Sequence, residues 1–372
     1  MQNLFKLLLV VLALGSIIDS STRLLAQSEQ PTQAALRARI SHDLPGWLKQ
    51  YNVPSASVAY IANGRLAWTV VIGEQSPGVP ATDKTLYNIA SLTKPIVAET
   101  ILRMASQNKL QLDEPIYPYW VDPDIKNNPW SKLLTPRLCL SHQTGFANWR
   151  RMTNGILTFK FKPGTQSGYS GEGFFYLARF AQNKTGQPFD QLAQNEVFGP
   201  MGMKDTSFTS QNWFNGRLAQ PYTNSGFLPP ALTSTWNAAD LVETTITDYG
   251  HFVASVMRNE GISPAIAAER LIITRDWTSE DAREQACTHE TPGTACHISA
   301  GMGLGWQVIV HNGVTIVDHS GSDTGVNTHA FFIPSKLTGA VVFTNGENGS
   351  KVIGEIIHVL SSDPVYAATV SH

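Results

Sequence analysis

The stretch VPSASVAYIANGRLAWTVVI, residues 53–72, decides how this chain is built. Val53 to Ile61 is apolar and strand-like, and Arg65 to Ile72 returns as a second strand. Between them stands Asn63-Gly64, a strong two-residue hairpin signal, because both central positions of such a turn need positive φ. A lone hairpin is marginally stable in water, so these strands need partners. The same pattern recurs near the other end of the chain. Gly305–Val310 and Val314–His319 flank Asn312-Gly313, and Thr328–Ile333 and Gly339–Thr344 flank Pro334-Ser335-Lys336-Leu337. The middle, from Ser91 to about Ala286, is helical and loop-rich in pattern, with helices expected over Pro95–Asn108, Gly173–Thr185, Phe189–Phe198 and Thr247–Asn259. An amphipathic helix over Gln33–Tyr51 aligns Ala35, Leu36, Ile40, Leu44 and Leu48 on one face, and Ser350–Leu360 reads as a closing helix. The economical architecture is α/β of the α+β type. One antiparallel sheet forms from both chain ends, flanked by helices, with a mainly helical region inserted over about 91–286.

Length and charge bound the function. A chain of 372 residues is long enough for two domains or one large composite, and it buries an ample core without metal or disulfide staples. Only 15% of residues are charged, with 27 Lys plus Arg against 29 Asp plus Glu, a net charge of −2. That balance and the lack of a basic cluster argue against a nucleic-acid partner.

Leu7 to Ile18 is an apolar run behind Lys6, closed by Asp19, Ser20, Ser21 and Thr22. Its length fits a signal-peptide core and falls short of a comfortable membrane span. The expectation is a signal peptide over residues 1–26, a linker over 27–34, one domain over 35–362 and a tail over 363–372. The protein is then periplasmic or secreted, with no stable membrane anchor after processing. Export implies an oxidising compartment. Cys287 and Cys296 flank a short turn-rich segment that could close as a small disulfide loop. The rival reading is a metal site made with His289 and His297, whose spacing matches no common zinc knuckle. Cys139, between two leucines, reads as a buried free thiol. No other histidine spacing suggests a metal, and nothing calls for a cofactor.

The chemistry begins at Ser91-Leu92-Thr93-Lys94. A serine and a lysine at i and i+3 share a helical face. A hydroxyl at a helix start meets backbone N–H groups that favour developing negative charge, and a desolvated lysine beside it can take its proton. Alone, the tetrad equally describes a capping serine with a solvated lysine. Two later pieces change its weight: Tyr169-Ser170-Gly171, and His319-Ser320-Gly321-Ser322 at the end of a terminal strand.

In that order, Ser-x-x-Lys, Tyr-Ser-x and His-x-Gly resemble the three motifs of the penicillin-recognising serine hydrolases, the superfamily of class C β-lactamases, DD-peptidases, D-aminopeptidases and esterases. Tyr87-Asn88-Ile89-Ala90, the run from Leu110 to Ile116, Leu140-Ser141-His142-Gln143-Thr144-Gly145 and Gly303-Leu304-Gly305-Trp306 look similar too. The resemblance runs from about residue 36 to 360. It implies Ser91 as acylated nucleophile, Lys94 as its proton acceptor, and Tyr169 as proton shuttle, its phenol pKa lowered by cations such as Lys94. It also implies an oxyanion hole from the backbone N–H groups of Ser91 and Ser322. His319, Ser320, Gly321 and Gly171 become substrate-binding positions, with His319 where relatives commonly carry lysine and Gly171 where many carry asparagine. From these departures follow a cationic His319 only below about pH 6.5 and a lost amide clamp for β-lactam side chains.

The expected function is a secreted acyl-serine hydrolase of a D-amino-acid peptide, amide or ester, its partner a small-molecule or peptide substrate. A class C-like β-lactamase and a catalytically silent sensor or scaffold on the same fold are the alternatives. Trp149, Tyr222 and Trp236 are candidates for the cleft wall.

Overall fold

The computed structural model describes residues 31–278, 297–361 and 363–370. The opening hairpin forms as β1 (Ser55–Ala62) and β2 (Arg65–Ser76), with φ of 51° at Asn63 and 68° at Gly64. A short β3 (Val79–Pro80) edges β2. The C-terminal half contributes β4 (Ile298–Met302), β5 (Gln307–His311), β6 (Val314–Asp323), β7 (Val326–Ile333) and β8 (Thr338–Thr344). These make one eight-stranded sheet in the order β3-β2-β1-β8-β7-β6-β5-β4. Every ladder is antiparallel, and the two chain ends meet at its centre, where Ala56 pairs with Thr344 and Ile61 with Gly339.

Burial shows why the sheet needs both ends. All eight residues of β1 are buried, so both of its faces are covered. Ala56, Val58, Tyr60 and Ala62 pack with α1 (Gln33–Tyr51) and α5 (Gly349–Leu360), while Ala59 and Ile61 join the core beneath the helical insertion. Along α1 it is Leu36, Ile40, Leu44 and Leu48 that are buried. Ala35 is exposed, so the buried stripe starts one residue later than the sequence pattern implied. The insertion supplies α2 (Thr93–Ser106), α3 (Gly171–Thr185) and α4 (Ile246–Met257). The expected helix over Phe189–Phe198 changes pitch at Gln194, where its second half winds as a wider π turn.

The segment set apart above as a tail contains α6 (Pro364–Val370). Val365, Tyr366 and Ala367 are buried, the last two in the core with α1 and α5, because this side of the sheet still has apolar surface to cover. Cys287 and Cys296 and the Leu7–Ile18 run lie outside the described residues. Cys139 is free and fully buried, and burial pushes its thiol pKa up.

A buried ion pair ties α2 to the helix Pro264–Arg270, and Trp306, just before β5, joins it. Glu99 accepts from Arg270 Nη1 at 2.9 Å and from Trp306 Nε1 at 3.0 Å, with both charged side chains 1% exposed. Gly305, at φ 81°, lets the chain pass directly over Ala98, since a Cβ there would lie 2.1 Å from that residue's own Cβ. The Gly-Leu-Gly-Trp stretch therefore fixes the height of α2 above the sheet, and with it the position of Ser91 and Lys94.

Candidate active site

Ser91 sits in a single 3-10 turn, Ala90–Leu92, that runs straight into α2. Ala90 has φ 46°, an unfavourable value for a residue with a Cβ. The turn is held from outside: Asn88 Oδ1 accepts the Ala90 N–H at 2.7 Å, and Thr328 of β7 donates to the Ile89 carbonyl at 2.9 Å. Gly321 of β6 allows the strand to close on it. A Cβ there would meet Thr328 Oγ1 at 2.3 Å, the Ile89 oxygen at 2.5 Å and the Ser91 nitrogen at 3.0 Å. Only glycine at 321 lets β6 lie this near the Ser91 backbone.

Lys94, one turn along, is wholly buried. Its Nζ donates to Ser91 Oγ at 2.8 Å and to the Ala239 carbonyl at 2.9 Å, and it lies 4.8 Å from the Tyr169 ring centre. Burial strips water from the ammonium and brings its pKa down to about 7, with the nearby Asp240 carboxylate opposing the fall. At neutral pH a large share of this amine is therefore a free base in contact with a hydroxyl.

The Tyr169 phenol faces the same cavity as Ser91. Part of its ring reaches solvent, yet desolvation around the hydroxyl outweighs the lowering by the Ser91 hydroxyl, and with the Asp240 carboxylate adding to it holds the pKa above the ordinary tyrosine value. This reverses the expected lowering by Lys94, so the phenol keeps its proton. Its placement comes from the Leu140–Gly145 stretch. His142, held at φ 55°, accepts the Ser170 N–H on Nδ1 at 3.0 Å and stacks on Tyr169 at 4.4 Å between ring centres. Ser170 Oγ caps α3 by accepting from Gly173 N at 3.0 Å.

A cavity of about 540 Å³ opens over these groups, lined by Ser91, Asn148, Trp149, Tyr169, Asp240 and Ser322 with six others, Ser320, Asp323 and Arg151 among them. Of the sequence-predicted residues, Ser91, Tyr169, Ser320 and Ser322 face it and Lys94 lies beneath it. Trp149 lines it, whereas Trp236 packs against Phe175 and Phe189, and Tyr222 against Phe227.

Two expected substrate positions differ. His319 is 5% exposed, 6.2 Å from Tyr169 by ring centres, and donates its Nδ1–H to the Ser320 carbonyl at 2.8 Å. Desolvation first, and the Lys94 charge second, press its pKa to about 3. It is neutral above about pH 3, where a cation was expected up to pH 6.5. Gly171 is covered by Trp149, whose ring atoms would lie 3.0 Å from a Cβ at 171. Beside it Asn148 lines the cavity and accepts the Gly171 N–H on Oδ1 at 2.8 Å.

Sequence reading missed Asn148, Asp240 and Asp323. They come from three separate segments that carry no spacing signal. Burial and the neighbouring Asp323 raise Asp240 to about 6.

The fold and this site together mark a protein of the β-lactamase class. A family model described as Beta-lactamase matches residues 26–360, and the chain belongs to that family. It is similar to Protein flp of Staphylococcus aureus, 22% identical over 84% of this chain, and spans 63% of that relative's length. It is 25% identical to the D-alanyl-D-alanine-carboxypeptidase/endopeptidase AmpH of Escherichia coli, over 78% of this chain and 81% of AmpH. Its fold matches the octameric penicillin-binding protein homologue from Pyrococcus abyssi with a TM-score of 0.71, at 18% identity, over 88% of this chain and 78% of the other. No helix among the described residues is long and apolar enough to cross a membrane.

Proposed function

We propose that this chain hydrolyses a D-amino-acid peptide, amide or ester through an acyl-Ser91 intermediate. The observation that carries the reading is the buried Lys94 amine, donating to Ser91 Oγ with its pKa brought to about 7. Free-base Lys94 takes the Ser91 proton as Oγ attacks the substrate carbonyl carbon. The resulting oxyanion is received by the backbone N–H groups of Ser91 and Ser322, prepositioned donors that need no reorganisation. As the carbonyl re-forms, the bond to the leaving amine or alcohol breaks. That group takes the Tyr169 phenol proton, which the Lys94 ammonium replaces. Water then enters the vacated place and the same proton transfers run again to release the acid and regenerate Ser91. The raised pKa keeps Tyr169 protonated, so it relays a proton to the leaving group as the Lys94 ammonium replaces it, and Lys94, not the phenol, is the base.

The similarity to AmpH supports the D-amino-acid substrate class. A class C-like β-lactamase is the second reading, favoured by one observation: the Asn148 amide stands in the cavity beside Gly171. The Leu7–Ile18 run supports export to the periplasm or medium. Labelling with a fluorophosphonate and a fluorescent penicillin, followed by a panel of D-alanyl peptides, D-amino-acid amides, esters and β-lactams, tests all of this. The expected result is label on Ser91 and turnover of the D-substrates. Label elsewhere overturns the site, and β-lactams as the only efficient substrates overturn the leading substrate class.

A further inference from the structure

We propose that Ser320 selects substrates by presenting only lone pairs to the cavity, its hydroxyl proton being held by a buried chain of His329, Tyr366 and Asp318. The inference rests on the acyl-serine reading above. It adds that the group meeting Ser320 is a hydrogen-bond donor, such as a carboxamide or ammonium, and not a carboxylate.

Three hydrogen bonds run from the cavity wall to α6 along one face of the sheet. Ser320 Oγ lies 2.8 Å from His329 Nδ1, His329 Nε2 lies 2.7 Å from the Tyr366 hydroxyl, and that hydroxyl donates to Asp318 Oδ2 at 3.0 Å. Ser320 and His329 are register partners across β6 and β7, while Asp318 shares the Ser320 face two residues back. Tyr366 comes from α6, so the C-terminal helix reaches the site through this chain. His329 is 3% exposed, Tyr366 1% and Asp318 5%; of the four, Ser320 is the exposed member.

The inventory of protons sets the direction of every bond. An ionised carboxylate only accepts, so Tyr366 donates to it. The Tyr366 oxygen then accepts, which requires the proton on His329 Nε2. A neutral imidazole carries one N–H, so Nδ1 is bare and takes the Ser320 proton. Burial keeps His329 neutral, its pKa pressed to about 4, and raises Asp318 to about 7, so that Asp318 is ionised in mildly alkaline solution. A serine whose only proton points inward offers the cavity nothing but acceptor. His319, next along the strand and also neutral, adds no cation there. The cationic Arg151 on the cavity wall belongs to a separate loop, where it lies over Trp149.

The test uses the full chain at about pH 8.5, where Asp318 is ionised, with N-acetyl-D-alanyl-D-alanine and its C-terminal carboxamide as a matched pair. Wild type is expected to favour the carboxamide in kcat/KM. Tyr366→Phe cuts the chain and frees His329 to take either tautomer, so the preference should shrink by about 10-fold, the scale of one hydrogen bond to a charged group. Ser320→Ala should abolish the preference and make Tyr366→Phe silent on it. A wild-type preference for the carboxylate, or a preference unmoved by Tyr366→Phe, overturns the proposal. Nitrogen-15 shifts of His329 in the wild type decide the matter even if the variant does not fold: an Nε2–H tautomer supports the chain, and an Nδ1–H tautomer overturns it. Failure of the acyl-serine reading looks different, because Ser91 then takes no fluorophosphonate and neither substrate is cleaved; the imidazole shifts still decide on the chain.

Discussion

Replacing Lys94 with methionine should make the protein more stable and inactive, with a pH signature. Lys94 falls from the ordinary 10.5 to about 7 on folding, so the folded state resists its charge. Below about pH 7 lysine is protonated in both states, and the full resistance is felt, about 5 kcal/mol for 3.5 pKa units. Between about pH 7 and 10.5 the unfolded chain binds more protons than the native one, so native stability rises with pH and the burden fades. Working the two limits gives a difference of about 4 kcal/mol between pH 6 and pH 10. Methionine has a similar length and no charge, so Lys94→Met removes this pH-dependent part. It also loses the bonds to Ser91 Oγ and the Ala239 carbonyl, about 1 kcal/mol each at any pH. The variant should therefore be more stable than wild type by about 2–3 kcal/mol near pH 6 and less stable near pH 10. With about 2 cal/mol/K of unfolding entropy per residue over about 340 residues, the variant-minus-wild-type Tm should drop by about 5–6 °C between those pH values. Thermal melts of both proteins across the pH range measure it, and subtraction cancels the other titrating groups. A Tm difference that does not change with pH would refute the depressed lysine and, with it, the identity of the base. Hydrolysis by Lys94→Met should fall on the order of 10⁴-fold.

Ser91→Ala should abolish covalent labelling and reduce turnover on the order of 10⁴-fold or more while moving Tm little; retained labelling would place the nucleophile elsewhere. For wild type, kcat/KM should rise through about pH 7 as Lys94 loses its proton. Asp240→Asn removes the charge that supports the ammonium, so this limb should shift to lower pH, and a shift upward in the rate–pH profile would contradict the assignment. Gly171→Asn should not restore β-lactam recognition: its Cβ would press on the Trp149 ring, and overpacking of this kind costs about 1–3 kcal/mol. A lower Tm with no gain in penicillin hydrolysis is the expected readout, and an undisturbed Tm with new turnover would contradict it.

The sequence by itself determined the frame. Asn63-Gly64 and Asn312-Gly313 fix two hairpins because only such residues take positive φ cheaply, and the amphipathic spacing of α1 leaves one way to lay it on the sheet. The pairing of both chain ends followed from the poor stability of a lone hairpin, and Ser91, Lys94 and Tyr169 were legible because their spacing and order repeat a motif set. Tertiary structure decided the electrostatics, since a pKa depends on water and charge arriving from elsewhere in the chain. Burial makes Lys94 a base near neutrality, keeps Tyr169 protonated and silences His319, none of which residue type reveals. It also decided matters of place: Asn148 stands on the cavity wall beside Gly171, and a short C-terminal segment becomes α6 and reaches Ser320 through Tyr366 and His329. Sequence patterning reports contacts that repeat locally, whereas these depend on single side chains far apart in the chain, brought together only when the sheet closes.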